Sequence, residues 1–218
     1  LFQGDKRNIE GVIFKGVDKT FINKIESFID VYNDVLNETH FQEVKHVVES
    51  AEFPWYIRYN RHVTNSTYHK DEDMYQNNPL FSFTHLCSGW DNIKTDYYDM
   101  THELAEKCRI KANLNDYVTK RLRWRMHIRS KENVRSKPHL DMKDFEPKDS
   151  LKVGIFYLHD SDSPTYIYND EKRVIAEIES KPNRLLVMRG NMLHGGGKPK
   201  THNFRIVLNI NWVNKDYE

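Results

Sequence analysis

Near the N-terminus apolar side chains recur at three- and four-residue steps. Phe21, Ile22, Ile25, Phe28, Ile29, Tyr32, Val35 and Leu36 follow Asp18, whose carboxylate can cap a first turn. The spacing predicts one amphipathic helix that needs a sheet to lie on. A weaker version of the pattern, through Tyr97, Met100, Leu104, Cys108 and Ala112, predicts a second packing helix over roughly 95 to 112. Between them Phe53-Pro54-Trp55-Tyr56 and Phe81-Ser82-Phe83-Thr84 read as short strands. The polar stretch 60 to 79 that separates these strands reads either as a lid over a substrate or as a plain surface loop.

From Tyr117 onward the texture changes. Short β-branched and aromatic runs fall at about 117–129, 152–158, 165–168, 174–178, 184–189 and 204–213, with turn residues between them. That rhythm predicts a mainly β sandwich or barrel, with the N-terminal and central helices covering one outer face. No repeat or low-complexity segment interrupts it.

A chain of 218 residues can bury one sizeable core, so residues 5–218 read as a single domain. The opening Leu1-Phe2-Gln3-Gly4 resembles the remnant of a protease-site linker and is given no function. With 38% hydrophobic and 30% charged residues the chain is globular rather than disordered. Thirty-three Lys and Arg against 32 Asp and Glu leave a net charge of +1, which argues against wholesale binding of nucleic acid or membrane. Cys87 and Cys108 are far apart and outside any CxxC spacing, so neither a disulfide framework nor a thiolate zinc site is expected. No apolar run is long enough to span a bilayer and no leader pattern opens the chain, so a soluble, cytoplasmic protein is expected.

Candidate chemistry starts at His139-Leu140-Asp141. The period-two geometry of an extended segment puts both polar side chains on one side. His194 follows after the run Arg184 to Arg189. Two imidazoles and one carboxylate on one face of a metal leave the opposite positions open, so that Fe(II) can take a bidentate oxoacid and then O2. The tripeptide alone says little, because about one His-x-Asp is expected by chance in such a chain. A second copy, His69-Lys70-Asp71, lies in the polar stretch and reads as surface.

Arg205 adds more weight. It opens an alternating strand in which Ile206, Leu208, Ile210 and Trp212 form an apolar face, while Arg205, Val207, Asn209 and Asn211 point the other way. A buried guanidinium needs a bidentate anion, either an internal Asp or Glu or the tail of a bound oxoacid.

On these residues the chain resembles the Fe(II)- and 2-oxoglutarate-dependent dioxygenases, in particular their prolyl-hydroxylase-like branch, over about residues 117 to 213. His139-Leu140-Asp141 is similar to the family's proximal ligand pair, and Val153 through Leu158 to its strand ending in Tyr-Leu. Pro182-Asn183-Arg184-Leu185-Leu186-Val187-Met188 is similar to its entry into the strand before the distal histidine. His194 through Trp212 resembles the distal histidine, arginine and closing strand.

The resemblance implies a double-stranded β-helix, or cupin-like jelly roll, with Fe(II) at its open mouth on His139, Asp141 and His194. It implies 2-oxoglutarate and O2 as cosubstrates, Arg205 on the far carboxylate, and C–H hydroxylation of a small-molecule, amino-acid or polypeptide substrate with release of succinate and CO2. Tyr157 falls where relatives steady 2-oxoglutarate with a hydroxyl, although an ordinary strand tyrosine is an equal reading. Related halogenases replace the carboxylate ligand by a small residue, so Asp141 favours hydroxylation. Where many members carry a Gly-Gly-Glu-Thr turn, this chain has Asp162-Ser163-Pro164-Thr165. Where the alkylated-base demethylases carry a second arginine it has Asn211, so a nucleobase substrate is disfavoured. The compact layout, with Phe53-Pro54-Trp55 ahead of a polar stretch, is similar to phage-encoded dioxygenases.

The remaining signals are weaker. Lys120 to Lys137 holds eight Lys and Arg, and alternation puts Arg121, Arg123, Arg125, His127 and Arg129 on one face. That face either attracts an anionic substrate or is a solvated surface balanced by acids. Trp55, Tyr56, Arg58 and Tyr59 could line a pocket but more often such a cluster is core. His127, His159 and His202 lack partners at ligand spacing and read as ordinary histidines. Gly195-Gly196-Gly197 lacks the features of a P-loop and is expected to let the backbone turn tightly behind His194. Two other functions fit the same pattern: a cupin-like metalloenzyme that uses no oxoacid, and a non-enzymatic jelly-roll binding module. Dependence on Arg205 separates out the first, and stoichiometric metal content the second.

Overall fold

The computed structural model describes residues 9–58, 82–88, 94–131, 134–142 and 144–217. In chain order the elements are β1 (Val12–Phe14), α1 (Lys19–Glu26), β2 (Ile29–Tyr32), α2 (Glu38–Glu49), β3 (Tyr56–Arg58), β4 (Ser82–Ser88) and α3 (Tyr98–Lys111). They continue with β5 (Tyr117–Ile128), β6 (Leu151–Tyr157), β7 (Ser161–Tyr168), β8 (Val174–Ser180), β9 (Arg184–Arg189), β10 (His194–Gly195) and β11 (Phe204–Asn214). The strands form a seven-stranded sheet in the order β2-β9-β6-β11-β5-β4-β3 and a four-stranded sheet in the order β1-β8-β7-β10.

The chain crosses repeatedly between the two sheets. It leaves the large sheet after β5 and reaches the small one at His139, which bridges His194 of β10. It then returns for β6, crosses for β7 and β8, returns for β9, crosses for β10 and ends in the large sheet at β11. This alternation is the double-stranded β-helix that the family resemblance implied, within the mainly β architecture expected from the strand rhythm. The sheets also recruit β1 to β4, which precede the 117–213 core.

Burial follows the alternation of β11. Ile206, Leu208, Ile210 and Trp212 join Trp124 of β5 in a core closed by Phe41, Val44 and Val48 of α2 and by Leu104, Ala105 and Cys108 of α3. Val207, one residue out of phase, enters the second core between the sheets with Ile155, Tyr157, Ile167, Ile178 and Leu186. Fully burying each such side chain stabilises by roughly 1.5–3 kcal/mol. The helix-covered core therefore fixes β5 and β11 from the outer side, while their inner face is apolar at Val207 and polar at Arg205, Asn209 and Asn211.

The single helix expected over 18–36 does not form. The chain is helical only as far as Glu26, and Ile29 to Tyr32 then pairs antiparallel with β9, from Ile29↔Met188 to Tyr32↔Leu185. Ile29-Asp30-Val31-Tyr32 also satisfies a period of two, and pairing along the edge of β9 outweighs the helical spacing. A helix not anticipated, α2, follows. Asn37 caps it, its Oδ1 accepting from His40 N at 2.9 Å, and Phe41, Val44 and Val48 are buried at helical spacing. α2 and α3 share one outer face, whereas α1 sends Ile25 into the core between the sheets.

The strand expected at Phe53–Tyr56 begins only at Tyr56. Phe53 is instead packed among the rings of Trp55, His85 and Tyr97 at 4.8–5.0 Å, on the helix-covered side of the large sheet. Trp55 is partly buried against the core, but Tyr56 is exposed, contrary to a core reading of the whole cluster, and Tyr59 lies outside the described residues. Asp162 to Thr165 is part of β7 rather than a turn, with Pro164 inside the break in pairing between Ser161 and Thr165. The 60–79 stretch and His69-Lys70-Asp71 lie outside the described residues. Among the described residues, no helix is long and apolar enough to cross a membrane.

Candidate metal centre

His139 and His194 are held together by their backbones. His139 N donates to His194 O at 3.0 Å and His194 N to His139 O at 3.1 Å, so the two rings stand with centroids 4.7 Å apart. Each ring is then fixed in the same way: Nδ1 of His139 lies 3.0 Å from Lys137 O, and Nδ1 of His194 lies 3.0 Å from Met192 O. A carbonyl can only accept, so Nδ1 carries the proton and Nε2 keeps its lone pair. Asp141 completes the group, and one donor atom from each of the three residues lies within 4.8 Å of the others.

Asp141 is buried and its two oxygens have different partners. Oδ2 accepts from Asn209 Nδ2 at 2.7 Å and from Asn211 Nδ2 at 3.0 Å. Oδ1 lies 3.8 Å from His139 Nε2 and 3.2 Å from Arg121 Nη2. Burial alone would raise the Asp141 pKa, but His194, Arg121, His139 and the Asn211 amide hold it far below the usual carboxylate range. For His139, burial and the neighbouring His194 outweigh the attraction of Asp141 and lower its pKa to about 4. A neutral His139 beside an ionised Asp141 is the protonation state a divalent metal requires of these two groups.

A cleft runs from His139 and His194 along the inner face of β5 and β11, past Asn209, Val207 and Arg125 to Arg205, Thr165 and His127. Arg205 is 2% exposed. Its Nη2 donates to Thr165 Oγ1 at 2.7 Å, its guanidinium stands 5.5 Å from the Tyr157 ring, and its Nε is buried without a partner. No ion pair joins Arg205 to any acid among the described residues. Tyr157 is also fully buried, and its hydroxyl donates to the same Thr165 oxygen at 2.7 Å. Burial raises the tyrosine's pKa although Arg205 opposes the shift, so the hydroxyl is neutral.

Of the five residues singled out in the sequence, His139, His194 and Arg205 line this cleft, Asp141 is grouped with the two histidines, and Tyr157 lies beneath Arg205. Of the basic face of β5, Arg125 lines the cleft. Arg121 is occupied by Asp141, and Arg123 and Arg125 have contacts of their own. The three glycines also differ from expectation, because none of Gly195, Gly196 and Gly197 has a positive φ. What they provide is room. A Cβ at Gly196 would stand 2.9 Å from Arg205 Nη1, and one at Gly195 or Gly197 2.8 Å from a serine Oγ. Sequence reading did not assign Thr165 or the two asparagines. Two amides on the inward face of a strand otherwise built for burial were the signal for Asn209 and Asn211, whereas Thr165 was visible only as the residue kept from the Gly-Gly-Glu-Thr turn of many family members.

No protein-family model matches the sequence, and no curated protein matches it significantly. Solved structures do share the fold. A member of the 2OG-Fe(II) oxygenase family from Burkholderia pseudomallei superposes with a TM-score of 0.61 over 93% of this chain and 96% of its own, at 9% identity. The non-haem α-ketoglutarate-dependent epimerase SnoN of nogalamycin biosynthesis gives 0.60 over 90% and 84%, also at 9% identity. A prolyl hydroxylase from Trichoplax adhaerens, in complex with a hypoxia inducible factor peptide, gives 0.55 over 93% and 96% at 12% identity.

Proposed function

We propose that this chain is a non-haem Fe(II)- and 2-oxoglutarate-dependent oxygenase that hydroxylates a C–H bond of a small-molecule, amino-acid or polypeptide substrate, releasing succinate and CO2. One observation carries the reading. A buried guanidinium with no acid partner among the described residues lines the same cleft as the two histidines of the metal-ligating group. An uncompensated buried charge costs several kcal/mol. Such a cation is retained for an anion that is not part of the chain, and the tail of a dicarboxylic oxoacid is that anion.

The residues fit the group. Both Nδ1 protons are tied to carbonyls, so His139 and His194 present Nε2. Asn209 and Asn211 hold Oδ2 of Asp141, which leaves Oδ1 for the metal. Arg205 and Thr165 would hold the far carboxylate, with the Tyr157 ring beneath the guanidinium. Together, bound iron and oxoacid would activate O2 and supply the oxidising power for C–H cleavage. Around them the packed core between the sheets excludes water from the tail end of the cleft.

Hydroxylation is favoured because Asp141 keeps the carboxylate that halogen chemistry would displace, although the fold neighbours include an epimerase. The breadth of substrate follows the neighbours too, one of which holds a peptide. The test is an anaerobic titration with Fe(II) and 2-oxoglutarate. A weak visible charge-transfer band is expected in the parent protein and absent in His139→Ala and Asp141→Ala, and in air a substrate screen should release succinate. If the parent protein binds iron but never 2-oxoglutarate, and Arg205→Ala changes nothing, a cupin-like enzyme without oxoacid replaces this reading.

A further inference from the structure

His127 pairs directly across from Arg205 in the β5–β11 register, so the two side chains share the inner face, and both line the cleft with Thr165. The ring is 6% exposed and its Nδ1 is buried without a partner. An unpartnered buried nitrogen is uncommon, because it forfeits the bonds it made to water. Asp141 is gripped by Asn209 and Asn211, four and six residues further along β11. His127 therefore stands at the tail end of the cleft, away from the metal ligands.

The charges around the ring set its form. Burial and the cations Arg205, Arg125 and Lys198 keep the imidazole neutral. Lys198 is itself 8% exposed. A neutral imidazole can carry its proton on Nδ1, where it is a hydrogen-bond donor that adds no further charge to a crowded cationic site. Beside it, Arg205 Nε is the other donor left without an acceptor. In that tautomer the two unpartnered nitrogens on one face of one cleft would offer a donor each to a single carboxylate.

We propose that His127 is a second anchor for the distal carboxylate of the oxoacid, acting beside Arg205 and Thr165 and selecting oxoacids that carry a carboxylate at this depth. The proposal rests on the oxygenase reading, and the experiment separates the two. Dissociation constants of 2-oxoglutarate and of 2-oxobutyrate, which has the same chelating head and no distal carboxylate, are measured anaerobically on the Fe(II)-loaded protein by calorimetry. In His127→Phe the affinity for 2-oxoglutarate should fall about tenfold or more while that for 2-oxobutyrate stays within about twofold. His127→Asn, whose amide nitrogen lies near the position of Nδ1, should recover part of the loss, and His127→Gln should not. If His127→Phe does not fold, the Asn and Gln pair carries the same comparison. Equal binding of 2-oxoglutarate by parent and variant, or a parallel loss for both oxoacids, overturns the His127 proposal and leaves the oxygenase reading standing. A parent protein that binds iron and no 2-oxoglutarate overturns the oxygenase reading itself.

Discussion

The two faces of the β5–β11 pair are built from the same strands and do opposite work. On the outer face Trp124, Trp212, Ile206, Leu208 and Ile210 are almost wholly buried under α2 and α3. On the inner face, one residue out of phase, stand Arg121, His127, Arg205, Asn209 and Asn211, also enclosed but polar. Three of these five retain a buried atom without a hydrogen bond besides Arg205: Arg121 Nε, His127 Nδ1 and Asn211 Oδ1 lack partners too. The outer face stabilises the fold, and the inner face is held in place at a cost to stability that a bound metal and anion would offset.

That contrast can be broken by substitution. Trp124→Ala on the outer face should lower unfolding free energy by about 3–5 kcal/mol in a urea titration, with metal stoichiometry unchanged in the molecules that remain folded. If it costs under about 1 kcal/mol, the outer face is not the stabilising one. Arg205→Met should go the other way. Stability of the metal-free protein should hold or rise by about 1 kcal/mol, because an uncompensated charge is removed, while 2-oxoglutarate binding falls by about a hundredfold or more. A protein that unfolds on losing Arg205 would show that the guanidinium belongs to the scaffold.

Asn211→Ala removes one of the two amides on Asp141 Oδ2 and should weaken ferrous affinity by about 10–100-fold, read by competition with a chelating dye. Unchanged affinity would assign the asparagines to packing alone. The smallest effect concerns pH. His139, His159 and His127 all have pKa values lowered by burial, the first two to about 4. In that range the unfolded chain binds protons that the folded chain refuses. Stability of the metal-free protein should therefore be full above the ordinary histidine range near pH 6.5 and fall progressively toward pH 4. Thermal midpoints that stay flat from pH 7 to 4.5 would contradict the burial of these rings.

Much of the site was legible because its signals are local. His139-Leu140-Asp141 fixes two ligands by strand period, and the phase of β11 separates Arg205, Asn209 and Asn211 from the apolar face in advance of any structure. The N-terminal third was misread for a physical reason. Ile25, Ile29 and Tyr32 suit a helix spacing, but the free edge of β9 pairs with Ile29–Tyr32, and that choice depends on a strand about 155 residues away. The helix Glu38–Glu49 carries its cap and stripe in the sequence at Asn37, Phe41, Val44 and Val48, but the helical spacing that runs from Phe21 to Leu36 abuts it and obscures its start.

The sequence by itself determined which residue types could hold a metal, which face of β11 would be polar, and that the C-terminal half would be short strands. Those properties depend on side-chain chemistry and on neighbours within a few positions. Only the tertiary structure decided that His139 and His194 share a backbone bridge, that Thr165 receives both Arg205 and Tyr157, and that Arg205 lacks an acid partner among the described residues. Each of these joins segments tens of residues apart through the closure of two sheets, and no local pattern encodes a distance across a fold.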